Sequence, residues 1–159
     1  MASLPKLIEE DIEALDQVLR AFLNRSDATT ALIVDKGGFL ITHQGEAGRF
    51  DLTTISALAA GSYLASQTIA GLIHEQTFSN VYQQGENFSL LATNVDEQCL
   101  LLVIFPAQIG VGVVKLFATR IRERLARQLR CAHERDPQAG LDLSELNLPD
   151  TSTVFKSKA

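Results

Sequence analysis

The chain has 159 residues, with 14 lysines and arginines against 19 aspartates and glutamates, so its formal net charge is −5. This length fits one domain that can bury a core without disulfide or metal support. Hydrophobic residues make up 46% and charged residues 21%, which is typical of a globular protein and not of a disordered one. The acidic balance argues against wholesale nucleic-acid binding, which usually requires a basic face.

The cysteines and the N-terminal sequence indicate the compartment. Cys99 and Cys131 stand far apart without a CxxC pair, so we expect neither a disulfide scaffold nor a zinc module. The sequence becomes acidic at Glu9 and Glu10, where a signal peptide would have an apolar core. We therefore expect a cytoplasmic protein.

The first half of the chain predicts a helix, a hairpin and a second helix. Apolar residues recur every three or four positions from about Pro5 to Asn24, which predicts the first helix. Strands are predicted over 29–34 and 39–43, joined by the tight turn Asp35-Lys36-Gly37-Gly38. Asp51 is then the predicted cap of a helix that runs to about residue 73.

The second half predicts three strands and a third helix. The strands cover 77–83, 88–94 and 98–105, and the last is apolar at almost every position, as in a central strand. The third helix is predicted from about Gly110 to Cys131. The order αββαβββα, with hairpin links between strands, indicates an α+β fold with a five-stranded antiparallel sheet flanked by helices.

We assign residues 1–131 to one domain that includes the N-terminal helix, and residues 132–159 to a C-terminal tail. The tail is polar except for a few leucines that suggest a weak helix or a docking strip: Leu141, Leu143, Leu146 and Leu148. We expect it to be flexible or ordered only against a partner.

No catalytic, cofactor-binding or metal-binding constellation is evident. His43, His74 and His133 lack ligand spacing, and no nucleophile elbow or phosphate-binding loop occurs. The segment from Gly110 to Lys115 resembles half of a dinucleotide fingerprint, but Lys115 replaces the third glycine. We therefore predict that the protein is not an enzyme and carries no cofactor.

The middle helix is unusual because it has no charge between Leu52 and Ile73. Its many hydroxyl side chains argue against a membrane span. A helix on a sheet normally shows water a charged face, so this one predicts an intermolecular surface, most simply in a symmetric dimer. We expect Leu58, Tyr63 and Leu64 to point away from the stripe that packs on the sheet, formed by Ile55, Ala59, Ser62, Ile69 and Ile73.

The last helix concentrates 6 of the 14 basic residues: Lys115, Arg120, Arg122, Arg124, Arg127 and Arg130. Such a pattern fits a solvated rim that balances the acidic first helix. It also fits a surface for anionic lipid, nucleic acid or an acidic protein. The sequence does not decide between these two interpretations.

Several segments together resemble the roadblock (dynein light-chain) domain family, and within it the MglB-like bacterial gliding-motility regulators. The resemblance covers about Asp27 to Arg130, with Ser62 standing where the family pattern has Asn. The segments that carry it are Phe50-Asp51-Leu52-Thr53-Thr54, Ala57-Leu58-Ala59-Ala60-Gly61-Ser62, Phe78 with Gln84-Gly85-Glu86, Leu102-Val103-Ile104-Phe105 and Gly112-Val113-Val114-Lys115-Leu116.

The resemblance implies a roadblock/profilin-like sandwich that forms homodimers, with the middle helices side by side and sheets that can join across the two-fold axis. It also implies binding of a small Ras-like GTPase of the MglA type. Such regulators stimulate GTP hydrolysis without an arginine finger, by repositioning the catalytic residues of the GTPase.

Combining the resemblance with the small and apolar residues of the middle helix, we predict one surface for the dimer or the partner. Its residues are Ala57, Ala60, Gly61, Tyr63, Leu64 and Gln67. Two alternatives remain. The first is a passive dimeric scaffold for a GTPase or a motility complex. The second is a nucleic-acid or membrane-surface binder that acts through the basic last helix.

Overall fold

The computed structural model describes residues 6–135. The elements are α1 (Glu9–Ser26), β1 (Thr30–Asp35), β2 (Leu40–Gly45), α2 (Leu52–Leu72), β3 (Asn80–Gln84), β4 (Phe88–Asn94), β5 (Cys99–Pro106) and α3 (Val111–Arg135). The predicted order αββαβββα is confirmed, and β4 has the predicted bounds.

The five strands form one antiparallel sheet in the order β2-β1-β5-β4-β3. Strand β5 lies at the centre, with Leu102 opposite Leu32 of β1 and Ala92 of β4. Residues 99–105 are all buried, which explains why this strand is apolar on both faces. The predicted α+β fold with a five-stranded antiparallel sheet is therefore confirmed.

The sheet is covered by two helices on one face and by one on the other. Helices α1 and α3 pack on the first face, where Phe22 and Leu125 join Leu101 of β5 in one apolar cluster. Helix α2 packs on the second face, where Tyr63 and Leu102 belong to a separate cluster. Successive residues of β5 thus contribute to opposite cores, as the two-residue period of a strand requires.

Two local features position α2. The carboxylate of Asp51 accepts hydrogen bonds from the backbone N–H of Thr54 at 3.1 Å and from its hydroxyl at 2.6 Å, so the predicted cap is confirmed. In the β1–β2 turn, Gly38 has φ +100°, and a Cβ there would lie 3.1 Å from Cα of Ala57. A glycine thus permits both the turn and the close approach to α2.

The ends of α1 and α3 are joined by a buried carboxylate. Asp11 is fully buried and accepts the backbone N–H of Ile8 at 3.0 Å, which starts α1 at Glu9 instead of the predicted Pro5. Both terminal nitrogens of Arg135 donate to its two oxygens at 2.8 and 2.9 Å, and Gln128 donates at 2.9 Å. Helix α3 therefore continues to Arg135, past the predicted end at Cys131.

The helix includes the first four residues of the predicted tail, and the rest of that tail, residues 136–159, lies outside the described residues. The division into a domain over 1–131 and a tail stays a prediction. Within residues 6–135, no helix is both long and apolar enough to cross a membrane.

The Asp11–Arg135 pair predicts a pH-dependent contribution to stability. The hydrogen bonds from Arg135 are the main cause that lowers the pKa of Asp11 from 3.8 to about 2. Because the folded pKa lies below the unfolded one, the stabilisation is complete above about pH 4 and is lost as the pH falls towards 2. Since Arg135 is 44% exposed, we expect Asp11→Asn to lower the free energy of unfolding by only about 1–2 kcal/mol at pH 7.

Urea unfolding of the native protein and of Asp11→Asn, at pH 7 and at pH 3, measures how much the substitution lowers the free energy of unfolding. The cost of Asp11→Asn should be smaller at pH 3 than at pH 7. Glu13→Gln, which replaces an exposed carboxylate on the same helix, is the control and should cost little at either pH. An equal cost of Asp11→Asn at both pH values would contradict the assigned ion pair.

Candidate partner-binding surface

The side of α2 that packs on the sheet differs from the predicted stripe. Tyr63 is only 3% exposed and packs in the core, whereas Ile69 and Ile73 are 52% and 62% exposed. The prediction for these three residues is wrong. In a helix that is apolar all round, hydrophobicity does not mark the inner side. The buried residues of α2 are mostly small and allow close approach to the sheet: Leu52, Ser56, Ala59, Ala60, Tyr63 and Ala70.

The opposite side of α2 is an exposed apolar surface, which we call the α2 outer face. Small residues run along its middle, and Leu58, Leu64 and Leu72 on its flanks are 69%, 52% and 77% exposed. Covering each of these leucines would contribute about 1–2 kcal/mol. The face consists of eight residues, all of them exposed: Thr54, Ala57, Leu58, Gly61, Leu64, Ala65, Thr68 and Leu72.

Two further features extend this surface. Phe39, at the end of the turn that packs on Ala57, is 73% exposed. Beside the first turn of α2, an apolar groove of about 370 Å³ is lined by Ile55 and by residues of β4 and β5. In it, Phe50 and Phe88 meet edge to face with centroids 5.4 Å apart. The groove opens beside the edge strand β3, so apolar surface continues from α2 to the sheet edge.

Tyr63 and Gln67 hold the connection between α2 and β3. The Tyr63 hydroxyl donates to the carbonyl of Phe78 at 3.3 Å, and the Gln67 amide donates to the same oxygen at 3.0 Å. The Gln67 side-chain oxygen accepts the backbone N–H of Phe78 at 3.1 Å and the hydroxyl of Thr77. These contacts satisfy polar backbone groups of the connection and fix its path.

The structure thus separates the six predicted interface residues into two groups. Ala57, Gly61 and Leu64 lie together on the α2 outer face. Ala60 and Tyr63 are buried against the sheet, and Gln67 is half-buried in the contacts to the α2–β3 connection. The sequence prediction omitted Leu72 and Phe39. In the sequence, Leu72 is an apolar residue near a helix end and Phe39 is one after a glycine turn. Buried core residues show the same patterns, so neither residue could be recognised as exposed.

Metal-ligating side chains and the two thiols were further candidates for a functional site. Among residues 6–135, no three His, Cys, Asp or Glu side chains are placed to hold a metal ion. Cys99 is buried in the core, and its desolvation is the main cause that raises its pKa to about 12, so the thiolate is strongly disfavoured. Cys131 is exposed on α3.

The basic residues of the last helix lie away from the α2 outer face, since α3 packs on the opposite face of the sheet. Within residues 6–135, every arginine except Arg49 belongs to α1 or α3. Arg49 stands beside the apolar groove, with its guanidinium carbon 5.2 Å from the ring centroid of Phe88. It also pairs with Glu46 at 3.2 Å, both side chains being more than half exposed.

The two sides of α2 predict opposite effects for arginine at neighbouring positions. Ala60 is 2% exposed, so Ala60→Arg should lower the free energy of unfolding by about 3 kcal/mol or more, because a charge and a long side chain enter the core. A Cβ at Gly61 meets nothing within 4 Å, so Gly61→Arg should keep the native circular dichroism spectrum and cooperative unfolding. The reverse order of tolerance would show that the inner side of α2 is misassigned.

Comparisons with known proteins now identify the fold family. The Roadblock/LC7 domain family model matches residues 14–105. The structure of the gliding protein MglB from Thermus thermophilus is similar, at 31% identity and a TM-score of 0.74, over 79% of this chain and 96% of that one. Myxococcus xanthus MglB is 28% identical with a TM-score of 0.74, over 80% and 96%.

A further MglB structure, described as having a tetrameric arrangement, is 30% identical with a TM-score of 0.75, over 83% of this chain and 98% of that one. No curated protein sequence matches the chain. The roadblock-type sandwich implied by the sequence motifs is confirmed. The chain belongs to the Roadblock/LC7 domain family.

Proposed function

We propose that this protein is a cytoplasmic homodimer that binds a small Ras-like GTPase of the MglA type and stimulates its GTP hydrolysis without a catalytic site of its own. The observation that carries the proposal is the α2 outer face, which is exposed, apolar and free of charge. The similarity of this chain to MglB over most of its length supports the choice of partner.

The small residues of the α2 outer face support helix-to-helix contact in the dimer. Ala57, Gly61 and Ala65 recur every four positions, so a second α2 can approach closely along this line. Leu64 and Leu72 on the flanks would then lose their contact with water. The edge strand β3 lies on the same side of the molecule as the apolar groove and offers backbone groups to a second sheet.

The positions of the arginines support activation without an arginine finger. A GTPase seated on the α2 side would be separated by the sheet from the arginines of α1 and α3. Arg49 is the arginine of the described residues that stands on the α2 side, where it pairs with Glu46. In this proposal the barrier falls because contact with the dimer orders the GTPase switch loops around the γ-phosphate.

GTP turnover by an MglA-type GTPase tests this mechanism. An excess of this protein should raise the turnover rate by at least about tenfold, whereas activators that insert an arginine reach about 10⁵-fold. Arg49→Ala should retain most of the stimulation. A loss of stimulation in Arg49→Ala with intact binding would identify Arg49 as a finger. Binding with unchanged turnover would favour the passive scaffold.

Gly61→Arg should abolish both GTPase binding and stimulation, because it places a charge in the middle of the apolar helix-to-helix contact and so breaks the dimer that binds the GTPase. Gly112→Arg is the matched control. It puts the same side chain at another open, exposed helical glycine, on α3. A titration of the GTPase loaded with a GTP analogue measures both variants. Normal GTPase binding by folded Gly61→Arg would exclude the α2 outer face as the dimer contact that binding requires.

A further inference from the structure

A groove runs between α1 and α3 on the side of these helices that faces away from α2. It has a volume of about 460 Å³, and Ala14, Gln17 and Val18 form its α1 wall. Arg124, Arg127, Gln128 and Cys131 form its α3 wall. The α1 wall thus offers two apolar side chains, Ala14 and Val18, beside the polar Gln17, and the α3 wall is basic.

The arginines along this groove are available for a ligand. Arg25, Arg120 and Arg124 continue the groove towards the other end of α1, around a smaller cavity of about 40 Å³. None of these three, nor Arg127, is within ion-pair distance of a carboxylate among the described residues, whose ion pairs are Arg49–Glu46 and Arg135–Asp11. Unpaired arginines at one groove favour an anionic occupant.

The segment that follows α3 has the complementary chemistry. Residues 136–155 contain no lysine or arginine. Within 141–148, four leucines alternate with acidic and polar residues: Leu141, Asp142, Leu143, Ser144, Glu145, Leu146, Asn147 and Leu148. Such a segment can place leucines against Ala14 and Val18 of the α1 wall while its carboxylates meet the arginines of the α3 wall.

The geometry of the chain brings this segment within reach of the groove. The Asp11–Arg135 pair fixes the end of α3 beside the N-terminal turn of α1. Cys131 lies about 6 Å and Arg124 about 16 Å back along the helix from Arg135, at 1.5 Å per residue. Leu141 lies six positions beyond Arg135 in the chain, a stretch that can span about 20 Å. The segment can therefore fold back along the whole groove.

We propose that residues 141–148 of this chain bind in the α1–α3 groove, with leucines against Ala14 and Val18 and with Asp142 and Glu145 near Arg124 and Arg127. The groove and the α2 outer face lie on opposite faces of the sheet. The proposal therefore does not depend on the proposed GTPase interaction. It assigns the basic residues of α3 a ligand within the same molecule.

Disulfide trapping in the full-length chain tests the proposal. Cys131 lines the groove and is exposed, whereas Cys99 is buried, so the native chain has one accessible thiol. In Ser144→Cys, oxidised glutathione should form an intrachain Cys131 disulfide roughly tenfold faster than in Ser157→Cys, whose thiol lies outside the docked segment. The two products are identified by peptide mass after digestion.

A charge reversal separates docking from chance collision. Arg124→Glu with Arg127→Glu, at two exposed positions, should bring the rate in Ser144→Cys down to about threefold that in Ser157→Cys, the excess expected from its shorter loop alone, while the circular dichroism spectrum stays native. Equal rates for the two cysteine positions, or a fast rate that survives the charge reversal, would overturn the proposal. A disulfide that joins two chains in place of one would also overturn it.

Discussion

The absence of charge in α2 is the constraint on which the rest of the structure depends. Of the helices in residues 6–135, only this one covers its face of the five-stranded sheet, so its inner side must be apolar and small enough to approach β1 and β5 closely. Its outer side is apolar as well, which a monomer in water does not require. The other face of the sheet has two helices whose outer sides are charged. This asymmetry is the basis of both proposals, a dimer contact on the α2 outer face and binding of residues 141–148 in the α1–α3 groove.

The local sequence was sufficient for most of the fold. The bounds of β4, the cap at Asp51 and the buried central strand β5 all follow from short patterns of turn residues and hydrophobicity. The ends of α1 and α3 did not, because they depend on the Asp11–Arg135 pair, whose partners are 124 residues apart in sequence. A buried carboxylate that starts one helix and holds the end of another has no local signature.

The six predicted interface residues do not share one environment. Ala57, Gly61 and Leu64 are exposed on α2, whereas Ala60 and Tyr63 belong to the core, and the part of the exposed residues in an interface stays a prediction. Periodicity identifies the inner side of a helix from the contrast between polar and apolar residues, and α2 lacks that contrast. The contacts of Tyr63 and Gln67 with Phe78 also required the structure, since they join a helix to the connection that follows it.

The solution mass of the native chain tests whether the α2 outer face is covered by a second copy. Sedimentation equilibrium between about 1 and 100 µM would measure it, because an apolar contact of this kind should persist at micromolar concentration. We expect twice the mass of the 17.3 kDa chain across this range. A mass of one chain at every concentration would contradict it and leave the exposed leucines of α2 without an explanation.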